Sequence, residues 1–320
     1  MLMLLEGTDG VGKSTLAQRI TEWLREHRPN DSVELWHRGV PSQHPVDEYV
    51  VPLLGYRPGR GHHIICDRWH WGELVYPRVK NRESLMDDAQ FWYAEQFLRS
   101  RGALGVHLWR DVVELQDVFR ERSEFVLTET ELMTTRNLFT HVRGAALISS
   151  VEVRPDESDV VEFLVAEAVR AENQARILND FVTYIGPPEV DALLVGDVRG
   201  LSSRHPLGTA FMPYPSTSGA YLSRALLARL HHLDGARLGI VNGCDVDALA
   251  KVMSVVQPIS VVALGNNAHR ACAGLLGSYP NGAVPHPQYV RRFHHPHHAA
   301  YGDAIVEALQ TGKDMRTWRP

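Results

Sequence analysis

No run of 18 apolar residues occurs in the sequence, which excludes an ordinary transmembrane helix. The opening MLMLLEGTDG has no basic stretch and enters a glycine-rich motif within seven residues, so a cleavable signal peptide is not expected. There are only 3 cysteines, Cys66, Cys244 and Cys272, widely spaced. That is too few for a disulfide framework or a four-cysteine metal cluster, and it fits a reducing compartment such as the cytoplasm. Internal repeats and long low-complexity tracts are also missing. What is present is globular composition: 44% hydrophobic and 22% charged residues exclude disorder as the dominant state. At 320 residues, two domains are expected rather than one.

Charge divides unevenly along the chain. Residues 186–320 carry 12 Lys+Arg against 9 Asp+Glu, whereas residues 1–185 carry 21 against 29. The second part is also rich in histidine, with nine of the 17. A mildly basic half can face a polyanion, but an imbalance this small does not decide the matter.

Short apolar runs alternate with helical patterns. Residues 1–6, SVELWH (32–37), HHIICD (62–67) and LGVHLW (104–109) read as strands. Residues 13–26, 84–101, 112–121 and the long stretch 156–182 read as helices. Strand–helix alternation of this kind predicts a parallel sheet covered by helices. The Gly186-Pro187-Pro188 stop marks the expected domain boundary. Beyond it the alternation resumes: DALLVGD, RLGIVNG and SVVALG as strands, 219–231, 245–256 and 267–276 as helices. The chain is therefore expected to be α/β, with domains at 1–185 and 186–320.

The segment Gly7-Thr8-Asp9-Gly10-Val11-Gly12-Lys13-Ser14 fits G-x-x-x-x-G-K-[ST] between an apolar strand and a helix. Glycines let the backbone curl so that successive N–H groups point at phosphate oxygens. The helix N-terminus adds partial positive charge, Lys13 would reach the β- and γ-phosphates, and Ser14 would hold Mg²⁺. Gly7, Asp9, Gly10, Gly12, Lys13, Ser14 and Thr15 are the expected ATP-binding residues.

Together with CDRWHWGELVYP (66–77), this loop resembles the thymidylate kinase branch of P-loop nucleoside monophosphate kinases. That family has an E-G-x-D-G-x-G-K-S-T loop, a D-R pair ending the third strand and a tyrosine eight residues beyond the Arg. Asp67, Arg68 and Tyr76 hold those places, and Asp111-Val112, Arg120 and Arg122 match a third feature. The resemblance covers about residues 1–180. It implies ATP and Mg²⁺ as cofactors and a deoxynucleoside monophosphate as substrate. Arg68 would clamp the acceptor phosphate. Asp67 would lie near the metal or the attacking oxygen, and Asp9 near the acceptor sugar. Tyr76 would pack on the acceptor base, while Arg120 and Arg122 would neutralise charge on the transferred group. Where the family carries T-R-E-P-G-G, this chain has WHRGVPS, leaving Arg38 and Pro41 as the counterparts. A substituted pyrimidine such as 5-hydroxymethyl-dUMP is then an alternative to dTMP. The family also implies a homodimer.

In the second half, VGDVRG (195–200), GTAF (208–211), IVNG (240–243), VVALGNNA (261–268) and PHPQYVRR (285–292) follow one another. This ordered series resembles the uracil-DNA glycosylase superfamily, over about residues 190–310. It implies a smaller three-layer α/β domain that handles a flipped base or contacts DNA. Phe211 would stack on the base, Asn242 would read its edge, His286 would face a carbonyl and Asp197 would position water. Arg199 stands where the family has proline, so binding without bond cleavage is one expected outcome. The RFHHPHHAAYG stretch offers no acidic or cysteine partner for a metal. The whole reads as a monophosphate kinase joined to a base-binding domain, suited to a nucleotide-pool or viral DNA-modification pathway. The alternative is a kinase that phosphorylates 5-hydroxymethyluracil within DNA.

Overall fold

A computed structural model of the chain describes residues 1–42, 44–121, 127–178, 181, 184–196, 211–214, 217–229, 237–242, 246–273, 275, 281–294 and 297–316. The chain is mixed α/β and folds into two compact units. The first comprises Met1–Tyr49, Tyr56–Asp87 and Arg101–Arg176; the second comprises Val50–Gly55, Asp88–Ser100 and Ile177–Pro320. Two segments from the first half of the sequence thus group with the second unit.

The first unit runs β1 (Leu2–Gly7), α1 (Lys13–His27), β2 (Ser32–His37), α2 (Pro45–Tyr49), β3 (His62–Asp67) and α3 (Gly72–Val79). After α4 (Asp88–Ser100), which belongs to the second unit, come β4 (Ala103–Leu108), α5 (Val112–Glu121), α6 (Glu129–Ala145), β5 (Ser149–Val153) and α7 (Val160–Ala175). The strands form one sheet in the order β2-β3-β1-β4-β5, every pair parallel. Every residue of β1 and β4 is buried, as expected of inner parallel strands covered on both faces.

Met1 and the odd-numbered β1 residues Met3 and Leu5 pack in one core with Leu16, Ile20 and Leu24 of α1 and Leu164 and Ala168 of α7. The four-residue spacing in α1 makes one apolar stripe, and each fully buried Leu or Ile there contributes roughly 2 kcal/mol. α3 and α6 lie together on the other side, where Phe139 of α6 stacks on His107 of β4. The α6 start is fixed by a capping box: Thr128 Oγ1 accepts from Glu131 N, and Glu131 accepts from Thr128 N at 2.7 Å. Because all five strands are parallel, the loops after β1, β3, β4 and β5 open at one edge. Ligands of open parallel sheets bind beyond those carboxyl ends.

The second unit contains α4, β6 (Ala192–Gly196), α8 (Ser218–Leu227), β7 (Leu238–Asn242), α9 (Val246–Val256), β8 (Ser260–Leu264), α10 (Asn266–Ala273), β9 (Asn281–Val284), α11 (Pro287–His294) and α12 (His298–Thr311). Its parallel sheet runs β7-β6-β8-β9. Leu193, Val195, Val241, Val261 and Ala263 pack with Leu249, Val252 and Val256 of α9 and Ala268 and Cys272 of α10. α12 lies against β8, β9 and α8. The Gly186-Pro187 segment is part of this unit. Gly186 has φ +128°, a Cβ there would come within 2.7 Å of the Leu238 carbonyl oxygen, and Ile185 bridges to Ile240. Among the described residues no helix is long and apolar enough to cross a membrane.

Candidate phosphate-binding and acceptor site

The loop after β1 is built by its glycines. Gly7, Gly10 and Gly12 have φ of +144°, +78° and +104°, values that side chains with a Cβ rarely adopt. A Cβ on Gly7 would also strike the Leu108 carbonyl of the adjacent strand. Lys13 folds back over this loop and is 5% exposed. Its ammonium donates to the carbonyls of Gly7 and Thr8, both at 2.8 Å. Burial pulls its pKa down to about 8, with Asp9 opposing the shift and Arg68 adding to it.

Asp67 ends β3, beside the loop. Its Oδ2 accepts from Ser14 Oγ at 2.5 Å and lies 3.0 Å from His37 Nδ1. Its Oδ1 is buried without a hydrogen bond among the described residues. Arg68 takes φ +71°, and its N–H donates to Leu5 O at 3.0 Å. Its guanidinium reaches Asp9 Oδ1 at 2.8 Å. Glu6 braces the turn from below, because its carboxylate accepts the N–H groups of Trp69 and Trp71, both at 2.9 Å. Burial pushes the Glu6 carboxyl up, with His70 opposing. Tyr76 is half-buried against the same loop, its hydroxyl 3.4 Å from Gly7 O. Arg38 lies 5.4 Å from the Trp69 ring and 3.6 Å from a Glu48 oxygen. Asp9, Lys13, Ser14, Asp67, Arg68 and Tyr76 therefore converge at one end of the sheet.

A small cavity of about 120 Å³ opens beside the loop, lined by Gly10, Gly12, Thr15, Arg110, Val118 and Pro155 among others. Arg110 donates from Nε to Val11 O at 3.2 Å. Arg120 does not join this group: it is 74% exposed and pairs with Asp117 at 2.7 Å, one turn away on α5. Arg122 lies outside the described residues. Other cations gather at the ends of β4 and β5 instead. Arg136 and Arg154 stand 4.6 and 5.2 Å from the Trp109 ring, held by Asp111 and Glu114. The sequence reading missed His37, Glu6, Arg110 and this Arg136–Trp109–Arg154 clamp. For Arg110, its place directly after β4 was a usable signal; for Glu6, an acid inside an otherwise apolar strand was another.

The donor set fits a hard divalent cation. Ser14 offers a hydroxyl at the start of α1, and the unpartnered Asp67 Oδ1 is available to a water on such an ion, since Mg²⁺ keeps several of its waters.

The second unit has its own convergence. An added Cβ on Gly196, at the end of β6, would strike the Phe211 ring and lie 3.1 Å from Asn242 Oδ1. The His286 ring is 6.0 Å from that of Phe211. Phe211 itself has φ +51°. Asp197 and Arg199 lie outside the described residues. A cavity of about 450 Å³ adjoins the group, lined by Asn266, Asn267, Arg270, His286, Tyr289 and Arg316 among others. Among the described residues no cluster of three or more His, Cys, Asp or Glu side chains is arranged to hold a metal.

No family model and no curated protein matches this sequence. Similar solved structures have low scores. The YorR protein of Bacillus subtilis, in complex with phosphorylated GDP, is 18% identical with a TM-score of 0.43, over 52% of this chain and 94% of that one. Polyphosphate kinase 2 of Arthrobacter aurescens TC1 is 14% identical with a TM-score of 0.38, over 53% and 66%. A putative polyphosphate kinase 2 of Pseudomonas aeruginosa PA01 is 17% identical with a TM-score of 0.30, over 98% and 70%.

Proposed function

We propose that the chain is an ATP- and Mg²⁺-dependent phosphotransferase whose acceptor is a deoxypyrimidine nucleotide. The observation that carries this reading is the glycine loop with Lys13 buried across it and Ser14 tied to Asp67. Loop amides and the Lys13 ammonium bind the triphosphate tail, and Ser14 would hold the magnesium ion, which when bound offsets phosphate charge. Arg110, beside the small cavity, suits the nucleoside end of the donor. Transfer then depends on positioning and charge neutralisation rather than on a covalent enzyme intermediate.

For the acceptor, the sequence resemblance favours dTMP or 5-hydroxymethyl-dUMP. A second reading has support of its own. Phe211, Asn242 and His286 meet at the end of a parallel sheet, an arrangement suited to stacking on a planar base and hydrogen-bonding its edge. On that reading the second unit contacts DNA, and the acceptor is a 5-hydroxymethyl pyrimidine within it. γ-Labelled ATP with Mg²⁺ is the test, offered dTMP, 5-hydroxymethyl-dUMP and duplex DNA containing 5-hydroxymethyluracil. Label should enter at least one acceptor and be lost in Lys13→Ala. Transfer to none by the folded chain, or transfer undiminished in Lys13→Ala, overturns the assignment.

A further inference from the structure

We propose that the accepting atom is a hydroxyl oxygen of a nucleotide, and that His37 is the general base that takes its proton; this rests on the phosphotransferase reading. His37 ends the edge strand β2, and its Cα is the register partner of Asp67 on β3. The two side chains therefore stand on the same face of the sheet. Nδ1 lies 3.0 Å from Asp67 Oδ2, and the ring is 61% exposed. Nε2 makes no hydrogen bond among the described residues. A carboxylate that accepts from Nδ1–H selects the tautomer whose Nε2 lone pair is free to accept a proton. The same Asp67 oxygen accepts from Ser14 Oγ at 2.5 Å, which anchors the dyad to the residue that follows Lys13. The base is thus set beside the phosphate-binding loop rather than somewhere else on the sheet.

The surrounding charges point the same way. A phosphate acceptor is already ionised near neutral pH and needs cations rather than a base. The two arginines that would hold it each face a carboxylate: Arg68 lies 2.8 Å from Asp9, and Arg38 lies 3.6 Å from Glu48. A hydroxyl acceptor is neutral, tolerates that compensated environment, and must lose a proton to attack. In the step, the acceptor O–H bond breaks and its proton moves to His37 Nε2. The oxygen forms a bond to the γ-phosphorus, the bond from that phosphorus to the β,γ-bridging oxygen breaks, and ADP leaves with the electron pair. His37 then returns the proton to solvent. The substrate class is a primary alcohol carried on a pyrimidine nucleotide, and the product is a phosphomonoester.

The test uses the full chain with ATP, Mg²⁺ and three acceptors: dTMP, 5-hydroxymethyl-dUMP, and duplex DNA containing 5-hydroxymethyluracil. Phosphorus NMR separates a new monoester from a new phosphoanhydride. Monoester is expected as the product. His37→Ala and His37→Gln should each lower kcat on the hydroxyl acceptor by about 100-fold or more, the range of general-base effects. ATP affinity by calorimetry should stay within about twofold, and added imidazole should restore part of the His37→Ala rate, which a merely structural role would not allow. Transfer only to phosphate, or an unaltered hydroxyl rate in His37→Ala, overturns this proposal and leaves the phosphotransferase reading intact. Transfer to no acceptor by the folded chain overturns both.

Discussion

Replacing Lys13 by Met should abolish ATP binding and yet make the protein more stable at neutral pH. The ammonium is 5% exposed, and burial lowers its pKa from 10.5 to about 8. At 1.36 kcal/mol per pKa unit, that displacement is a penalty of about 3 kcal/mol on the folded state. Its pH window follows from proton counts. Below pH 8 folded and unfolded chains both hold the proton and the penalty is complete. Between about 8 and 10.5 the unfolded chain binds more protons, so wild-type stability rises with pH. Methionine removes the charge at similar length but forfeits the bonds to Gly7 O and Thr8 O, worth about 1 kcal/mol each. The variant should therefore be about 1 kcal/mol more stable than wild type at pH 7. The difference should swing by about 2 kcal/mol in favour of wild type by pH 9.5. Urea unfolding followed by tryptophan fluorescence reads this directly, because Trp69 and Trp71 are buried in the same unit. A stability difference independent of pH would refute the reasoning. So would a variant less stable than wild type already at pH 7.

Two further outcomes are expected. Burial and the nearby Arg143 and Arg136 lower the His107 pKa from 6.5 to about 4. The unfolded chain then takes up the proton first as pH falls, and stability is lost between about pH 6.5 and 4. His107→Leu should flatten the unfolding free energy from urea titrations against pH by about 2 kcal/mol between pH 7.5 and 5; an equal slope in both proteins counts against it. In the second unit, Gly196→Ala forces a methyl group against Phe211 and should cost about 1–3 kcal/mol of thermal stability. Adding Phe211→Ala should return part of that loss, and strict additivity of the two changes would contradict the contact.

HHIICD was legible as β3 through its buried apolar centre, and SVELWH coincides with β2 although this edge strand is exposed or half-exposed along its whole length. β5 was missed because SSVEV is half-exposed and short, with no run to detect. The 156–182 helix pattern is cut down to Val160–Ala175, since the turn at 154–159 is polar and supplies Arg154 to the Trp109 clamp. At the site, the glycine loop was readable because its spacing is local. His37 was not, because its meaning depends on register with a residue 30 positions away. Arg120 illustrates the reverse: its spacing matched a family pattern, while the helix surface gave it a nearer partner in Asp117.

Both units place a glycine at the end of a strand flanked by parallel neighbours, Gly7 in one and Gly196 in the other, and the consequences differ. Without a Cβ at Gly7 the backbone can press on Leu108 and turn its amides outward around a buried ammonium, which suits a multiply charged anion. Without a Cβ at Gly196 the space goes to the Phe211 ring, with Asn242 and His286 close by, which suits a flat, neutral, hydrogen-bonding ring.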